Sequence, residues 1–341
     1  KMPEHPAPEK VKRPRRWSSF IIGLLAMLTV CSMPSPAGAG HADKPEPARA
    51  VFRLAFTSSM FAEVKVDDAR AAMKVWMLAI ARDRGIPVDP EPKIYDSLEE
   101  LSKTLRSGLV DGVGATAEEF WRLRKGIELD RLVVGIQDNR IADEYIVLVH
   151  RESGIKNVEA LRGRRLLLPQ NPRMSLATVW LDTHIMQKGL EPTDRFLGAV
   201  TSVNKLSQAV LRVFFRQSDA CLVTRRGFET MSELNPQLGR ILNVIAASPE
   251  LVPTGFAFLS RSSAPLRDQM LVEMTRLSDS VAGQQILTLI QADRVEERPF
   301  SCMAGAFELL SIHQRLTSSE GKAIRGAPRP LSLGAMIHIG S

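Results

Sequence analysis

Residues 166–189, LLLPQNPRMSLATVWLDTHIMQKG, join a short apolar run to an amphipathic segment through the breaker Pro169-Gln170-Asn171-Pro172. A strand, a turn and a helix start can together hold an anion. The first-turn amides have no intrahelical partner, and the positive end of the helix dipole faces outward. Ser175 is placed to cap that helix and to offer its hydroxyl, and Gly189 is placed to end it. An ordinary strand-to-helix connection reads the same way, so other residues must carry the argument. Thr57-Ser58-Ser59 is a second hydroxyl-rich loop behind an apolar run. Tyr145 is one of two tyrosines and opens a strand; its OH suits either a ligand oxygen or a half-buried strand position. Lys205, at a helix start, and Asp219 are candidate charged contacts, for an oxyanion and for a ligand amine. Metal chemistry has little support: there is no CxxC or HExxH, and the histidines are dispersed. Cys221 lies mid-strand between Ala220 and Leu222 without a nearby His–Asp pairing, so nucleophilic catalysis is not expected.

Composition sets the address. Lys10, Lys12, Arg13, Arg15 and Arg16 precede a 12-residue apolar stretch at 20–31 and the small-residue site Ala37-Gly38-Ala39. This is the pattern of an export signal over residues 1–39, with an uncleaved anchor as the competing reading. Residues 1–39 carry six Lys/Arg and two Asp/Glu, so of the formal +7 about +3 is left for the remainder. Those charges are scattered, which argues against a nucleic-acid partner. Cys221 and Cys302 follow the signal; buried thiols and a single disulfide both stay open.

The elements that must position these residues alternate β and α, which predicts parallel sheets with helices on both faces. A Pro- and charge-rich linker covers 40–50. A strand is expected at 51–56, then a helix capped by Asp67 or Asp68 and stopped at Gly85 and Pro87. Ser97-Leu98-Glu99-Glu100 and Thr116-Ala117-Glu118-Glu119 are capping boxes. Further strands are expected at 109–113, 132–136, 145–149, 166–168, 196–200, 219–223, 241–245 and 255–259. Three helices finish the chain before a loose tail at 319–341. Ligands of such sheets sit at the C-terminal strand ends, here 57–59, the Asp111 loop, 170–175 and 202–205.

Several segments, taken in order, resemble the phosphonate/phosphite/sulfonate-binding group of periplasmic substrate-binding proteins of ABC importers. They are Ser107-Gly108-Leu109-Val110-Asp111, Glu144-Tyr145-Ile146-Val147-Leu148-Val149, Ser153-Gly154-Ile155 with Leu161-Arg162-Gly163-Arg164, Ser175, Gln208-Ala209-Val210 with Ser218-Asp219-Ala220, and Ile245-Ala246-Ala247-Ser248-Pro249. The resemblance runs from about Phe52 to about Leu310. It implies an α/β, two-lobed type II periplasmic-binding-protein fold, each lobe a mostly parallel sheet flanked by helices, with two crossover strands as hinge. Lobe 1 would comprise 51–145 with a return at 247–318, and lobe 2 would comprise 146–246. The implied function is capture of a small oxyanion in the inter-lobe cleft and delivery to a membrane permease. The protein would be a periplasmic monomer without cofactor or catalysis, its ligand contacts Thr57, Ser58, Ser59, Tyr145, Ser175, Lys205 and Asp219. A ligand-sensing partner of a membrane signalling protein is the alternative on the same fold, and an enzyme is a third reading. The anion loop departs from the family: it has one serine, followed by Leu176 and Ala177. The loop after Asp111 lacks the family's Pro-Tyr, and Ser202-Val203-Asn204-Lys205 stands where many phosphonate binders carry a His.

Overall fold

Short runs of β-branched and apolar residues form eleven strands among the residues that the computed structural model describes, 51–61 and 64–326. In chain order they are β1 (Leu54–Thr57), β2 (Lys93–Tyr95), β3 (Gly112–Thr116), β4 (Leu129–Ile136), β5 (Tyr145–His150), β6 (Arg165–Pro169), β7 (Ala199–Val203), β8 (Ala220–Thr224), β9 (Leu242–Ala247), β10 (Thr254–Leu259) and β11 (Arg294–Arg298). They build a six-stranded sheet, β11-β4-β10-β3-β1-β2, and a five-stranded one, β7-β6-β8-β5-β9. β2, β1 and β3 run parallel, as do β7, β6 and β8. The antiparallel members include the strands where the chain changes sheet: β5 pairs antiparallel with β8 and β9, and β10 with β3 and β4. The result is an α/β fold of two lobes, one per sheet.

The helices follow their local signals. Helix Val66–Arg84 buries Ala69, Met73, Trp76, Met77 and Ile80 at helical spacing and ends on Gly85 in the left-handed region. Its N-cap is Lys65, not an aspartate; Asp67 and Asp68 lie one turn in, where a negative charge still favours the dipole. Ser97 caps helix Leu98–Arg106, and Thr116 with Glu119 forms a complete capping box on helix Ala117–Leu123. Cys221 is fully buried and Cys302 half-buried, and both are free thiols. Burial pushes the Cys221 thiol up, which disfavours its thiolate.

Two expectations shift. The strand expected at 109–113 begins instead at Gly112, so Asp111 stands at its N-terminal end, the end away from the cleft. Its carboxylate accepts from the Arg53 amide at 2.9 Å and from the Arg53 guanidinium. The second lobe repeats the device: Asp219, just before β8, accepts from the Arg165 amide at 2.8 Å. In each lobe an aspartate thus ties the start of a central strand to its neighbour. Second, the last helix, Ala304–Gly326, continues past residue 319, where a loose tail was expected. The expected export signal and linker at 1–50 lie outside the described residues. No helix among the described residues is long and apolar enough to cross a membrane.

Two connections join the lobes, and they are bonded to each other. Asp143 and Leu251 exchange backbone hydrogen bonds of 2.9 Å. The Tyr145 amide donates to Ser248 Oγ at 2.8 Å, and the Ser248 amide donates back to the Tyr145 carbonyl. The C-terminal helix lies across both lobes. Trp121 of the first lobe donates to Ser311 Oγ, while Asp182 of the second meets His313 Nε2 at 2.8 Å.

Candidate functional site

The C-terminal ends of β1, β3 and β6 converge between the lobes. The turn Ser58–Phe61 after β1 touches the turn Pro172–Met174 after β6. The first lobe's hydroxyls are gathered there on one carboxylate. Thr57 Oγ1 donates to Glu119 Oε2 at 2.8 Å, and Ser59 Oγ lies 2.6 Å from Oε1 and 2.9 Å from Thr57 Oγ1. The Thr116 amide donates to the same Oε2 at 2.8 Å. The single hydrogens of Thr57 and Ser59 are therefore spent within the cluster, and what these hydroxyls offer a ligand is lone pairs. Ser58 sits beside them, half-buried.

In the second lobe Asn171 caps the short turn by accepting from the Met174 amide at 3.1 Å. Ser175 is not a helix cap, contrary to expectation. Helix Ala177–Gln187 has Leu176 at its N-cap, and the Ser175 hydroxyl donates to the Pro253 carbonyl at 3.3 Å. The pair Pro172 and Asn171 starts a separate turn before the helix, which displaces Ser175 from the capping position. The Tyr145 OH is also committed: it donates to the Arg173 carbonyl at 2.7 Å in a fully buried position. Burial, then the negative charge of Asp143, push this phenol well above its usual value, so it stays a donor.

Sequence reasoning passed over Arg173, the central residue of the site. Its side chain is 10% exposed and reaches from the second lobe toward the first, where Nη1 approaches the Gln291 carbonyl at 3.5 Å. Nε lies 2.7 Å from Asp143 Oδ2, an ion pair without hydrogen-bond alignment, and Nη2 has no partner among the described residues. Asp143, whose side chain is 1% exposed, is shared with Arg226 Nη2 at 2.5 Å. Two buried guanidiniums thus share one buried carboxylate, and Arg226 also lies 3.9 Å from the exposed Asp138 Oδ2. The signal that the sequence offers is that Arg173 is the one cation between Gln170 and Ser175.

Of the remaining expected contacts, Lys205 is exposed at the N-cap of helix Leu206–Phe214, beyond the C-terminal end of β7. Asp219 is at the wrong end of its sheet, roughly a five-residue strand, on the order of 15 Å, from the β6 loop. The site therefore brings together Thr57, Ser58, Ser59, Tyr145 and Ser175. Lys205 lies at the same end of its sheet, and Asp219 is removed from the set. No group of three or more His, Cys, Asp or Glu among the described residues is placed to hold a metal ion.

Two lobes, doubly connected, with strand ends and a buried cation facing across the cleft, define a type II periplasmic binding protein. The chain belongs to the family of ABC transporter phosphonate periplasmic substrate-binding proteins, whose model matches residues 59–298. Among solved structures it is similar to XAC2383 from Xanthomonas citri bound to ATP, at 16% identity and a TM-score of 0.55, covering 79% of this chain and 98% of that one. It is similar as well to a binding protein component of an ABC phosphonate transporter from Pseudomonas aeruginosa, at 11% identity and 0.53, covering 81% and 93%. A third is PhnD1 from Prochlorococcus marinus in complex with methylphosphonate, at 14% and 0.51, covering 78% and 98%. Curated protein sequences give no match.

Proposed function

We propose that the protein captures a phosphonate-like oxyanion between its lobes in the periplasm and delivers it to the permease of an ABC importer. The observation that carries this reading is the Arg173 guanidinium, buried with Nη2 unpaired and sharing its one carboxylate, Asp143, with Arg226. Such a charge is costly to bury and is offset when an anion completes its hydrogen bonds. The first-turn amides of helix Ala177–Gln187 add donors without adding a full charge. Lys205 adds long-range attraction from the rim.

The first lobe refines the ligand class. Thr57 and Ser59 present lone pairs, because Glu119 takes their hydrogens. A monoprotonated phosphonate supplies both an anionic oxygen for Arg173 and a P–OH for these acceptors. A sulfonate has no such hydrogen and would leave the buried Thr57 acceptor unpaired.

Calorimetric titration against methylphosphonate, phosphate and methanesulfonate tests this. Methylphosphonate should bind at least tenfold more tightly than methanesulfonate. Arg173→Leu should weaken binding by roughly ten- to 150-fold, the worth of one charge-assisted bond. Equal affinity for the two methyl anions, or an indifferent Arg173→Leu, would refute the assignment.

A further inference from the structure

The cleft has an extension that a methyl-sized anion would not use. Between the first-lobe sheet and helices Val66–Arg84 and Val281–Leu289 lies a chamber of about 60 Å³. Phe56, Met60, Met73, Trp76, Phe256 and Ile286 contribute to its wall. The second lobe supplies one wall residue, Arg173, which is also the one charged side chain lining the chamber. Two glycines of β3 shape the neighbouring surface. A Cβ on Gly114 would stand 2.4 Å from the Phe56 ring, and one on Gly112 2.4 Å from the Phe256 ring. The absence of side chains there lets both rings lie close against the strand.

We infer that the ligand is an amphiphilic anion, a phosphonate with an unbranched apolar tail, whose head pairs with Arg173 and whose tail enters this chamber. The inference rests on the anion reading above and extends it to the substrate class. The size is suitable: a water needs roughly 10–15 Å³ measured in this way, so 60 Å³ admits a chain of about four to six heavy atoms. The wall is adaptable, because Met60, Met73 and Met274 are flexible gap-fillers. A mere packing defect would not have a buried guanidinium with an unpaired Nη2 set in its wall, since that burial is unfavourable without a partner.

The test is titration of the full mature protein with straight-chain alkylphosphonates from methyl to hexyl, followed by calorimetry and by tryptophan emission. Affinity should rise roughly fourfold per methylene over the first four carbons and then level off as the chamber fills. Trp76 lines the chamber, so hexylphosphonate should shift the emission and methylphosphonate should not. The conservative Trp76→Phe should remove the shift, which assigns the emission change to the chamber. Arg173→Leu should weaken every member of the series. Affinity that is flat or falls with chain length while methylphosphonate binds would overturn the tail site and leave the anion reading standing. Failure of every member to bind would overturn both. Chain-length dependence that survives intact in Arg173→Leu would show that the tail enters elsewhere and would also sink the inference.

Discussion

At the residue scale, the Arg173–Asp143–Arg226 cluster makes predictions of opposite sign. Asp143→Asn removes the only carboxylate between two buried guanidiniums and should cost about 3–5 kcal/mol of stability. Arg173→Leu leaves Asp143 paired with Arg226 and places an apolar side chain against an apolar wall. Its stability should stay within about 1 kcal/mol of the parent or rise, although anion binding falls. Denaturant unfolding of both variants without ligand checks the pair; a large loss in Arg173→Leu would mean that the arginine is structural. Tyr145→Phe deletes one buried bond to the Arg173 carbonyl and should cost about 1–2 kcal/mol with an unchanged denaturant slope. Sequence could show that Tyr145 stands at a crossover strand. It could not show where the hydroxyl points, because its partner is a carbonyl 28 residues away, fixed by the turn after β6. Glu119 is similar. Its capping-box role is local and legible, while its bonds to Thr57 and Ser59 span about sixty residues and exist only once β1 and β3 pair.

At the element scale, the helices were legible where their signals are local, such as Gly85, Ser97 and Thr116. Strand limits were less so. β3 was displaced by three residues because Asp111 reads as part of an apolar run but is held outside the strand by Arg53. β2 and β11 were missed: one has three residues, and the other, Arg-Val-Glu-Glu-Arg, is polar because it lies at a sheet edge. Helix Ala177–Gln187 carries Asp182, which joins three elements. Its Oδ1 accepts from the Thr193 amide at 2.7 Å and from Thr193 Oγ1, and its Oδ2 meets His313 on the C-terminal helix. Burial alone would raise this carboxyl, but the bonds from His313 and Thr193 outweigh it and hold it below the usual value. The sign follows. A carboxyl lowered on folding contributes stability above its unfolded pKa of about 4, and that contribution is lost as pH falls through the lower folded value. Asp182→Asn should cost roughly 1.5–3 kcal/mol at pH 7. It should also flatten the part of the acid-unfolding profile below about pH 4, so the gap between variant and parent closes there. A gap that persists undiminished at pH 2 would show that the carboxylate's charge is not what holds the helix.

At the scale of the whole molecule, the question is what moves. The two connections are bonded to each other at Asp143–Leu251 and Tyr145–Ser248, so they form a short ribbon that can bend as a unit. What else joins the lobes is slighter: the touch of the β1 turn on the β6 turn, the reach of Arg173 to Gln291, the Ser175 hydroxyl on the Pro253 carbonyl, and Arg226 Nη1 on the Gln137 carbonyl beside the connections. Pro253 also accepts from the Ala117 amide at 2.7 Å, so the bond from Ser175 is the second on that carbonyl and the easier to lose. Opening would break the first three of these contacts and leave the ribbon intact, exposing Arg173 to solvent. An anion bound to Arg173 and to the first lobe adds contacts only in the closed form, so it should shift the population toward closure. Small-angle scattering with and without saturating methylphosphonate should give a smaller radius of gyration in the bound state. The C-terminal helix is bonded to both lobes through Ser311 and His313, and should limit how far they open. His313→Ala removes one polar link to the second lobe, the packing on helix Ala177–Gln187 remaining, and should enlarge the unliganded radius slightly while the liganded one stays near the parent's. If the parent's radius is the same in both states and His313→Ala leaves both unchanged, the lobes are fixed. Ligand entry would then depend on the turns at 58–61 and 172–174 alone.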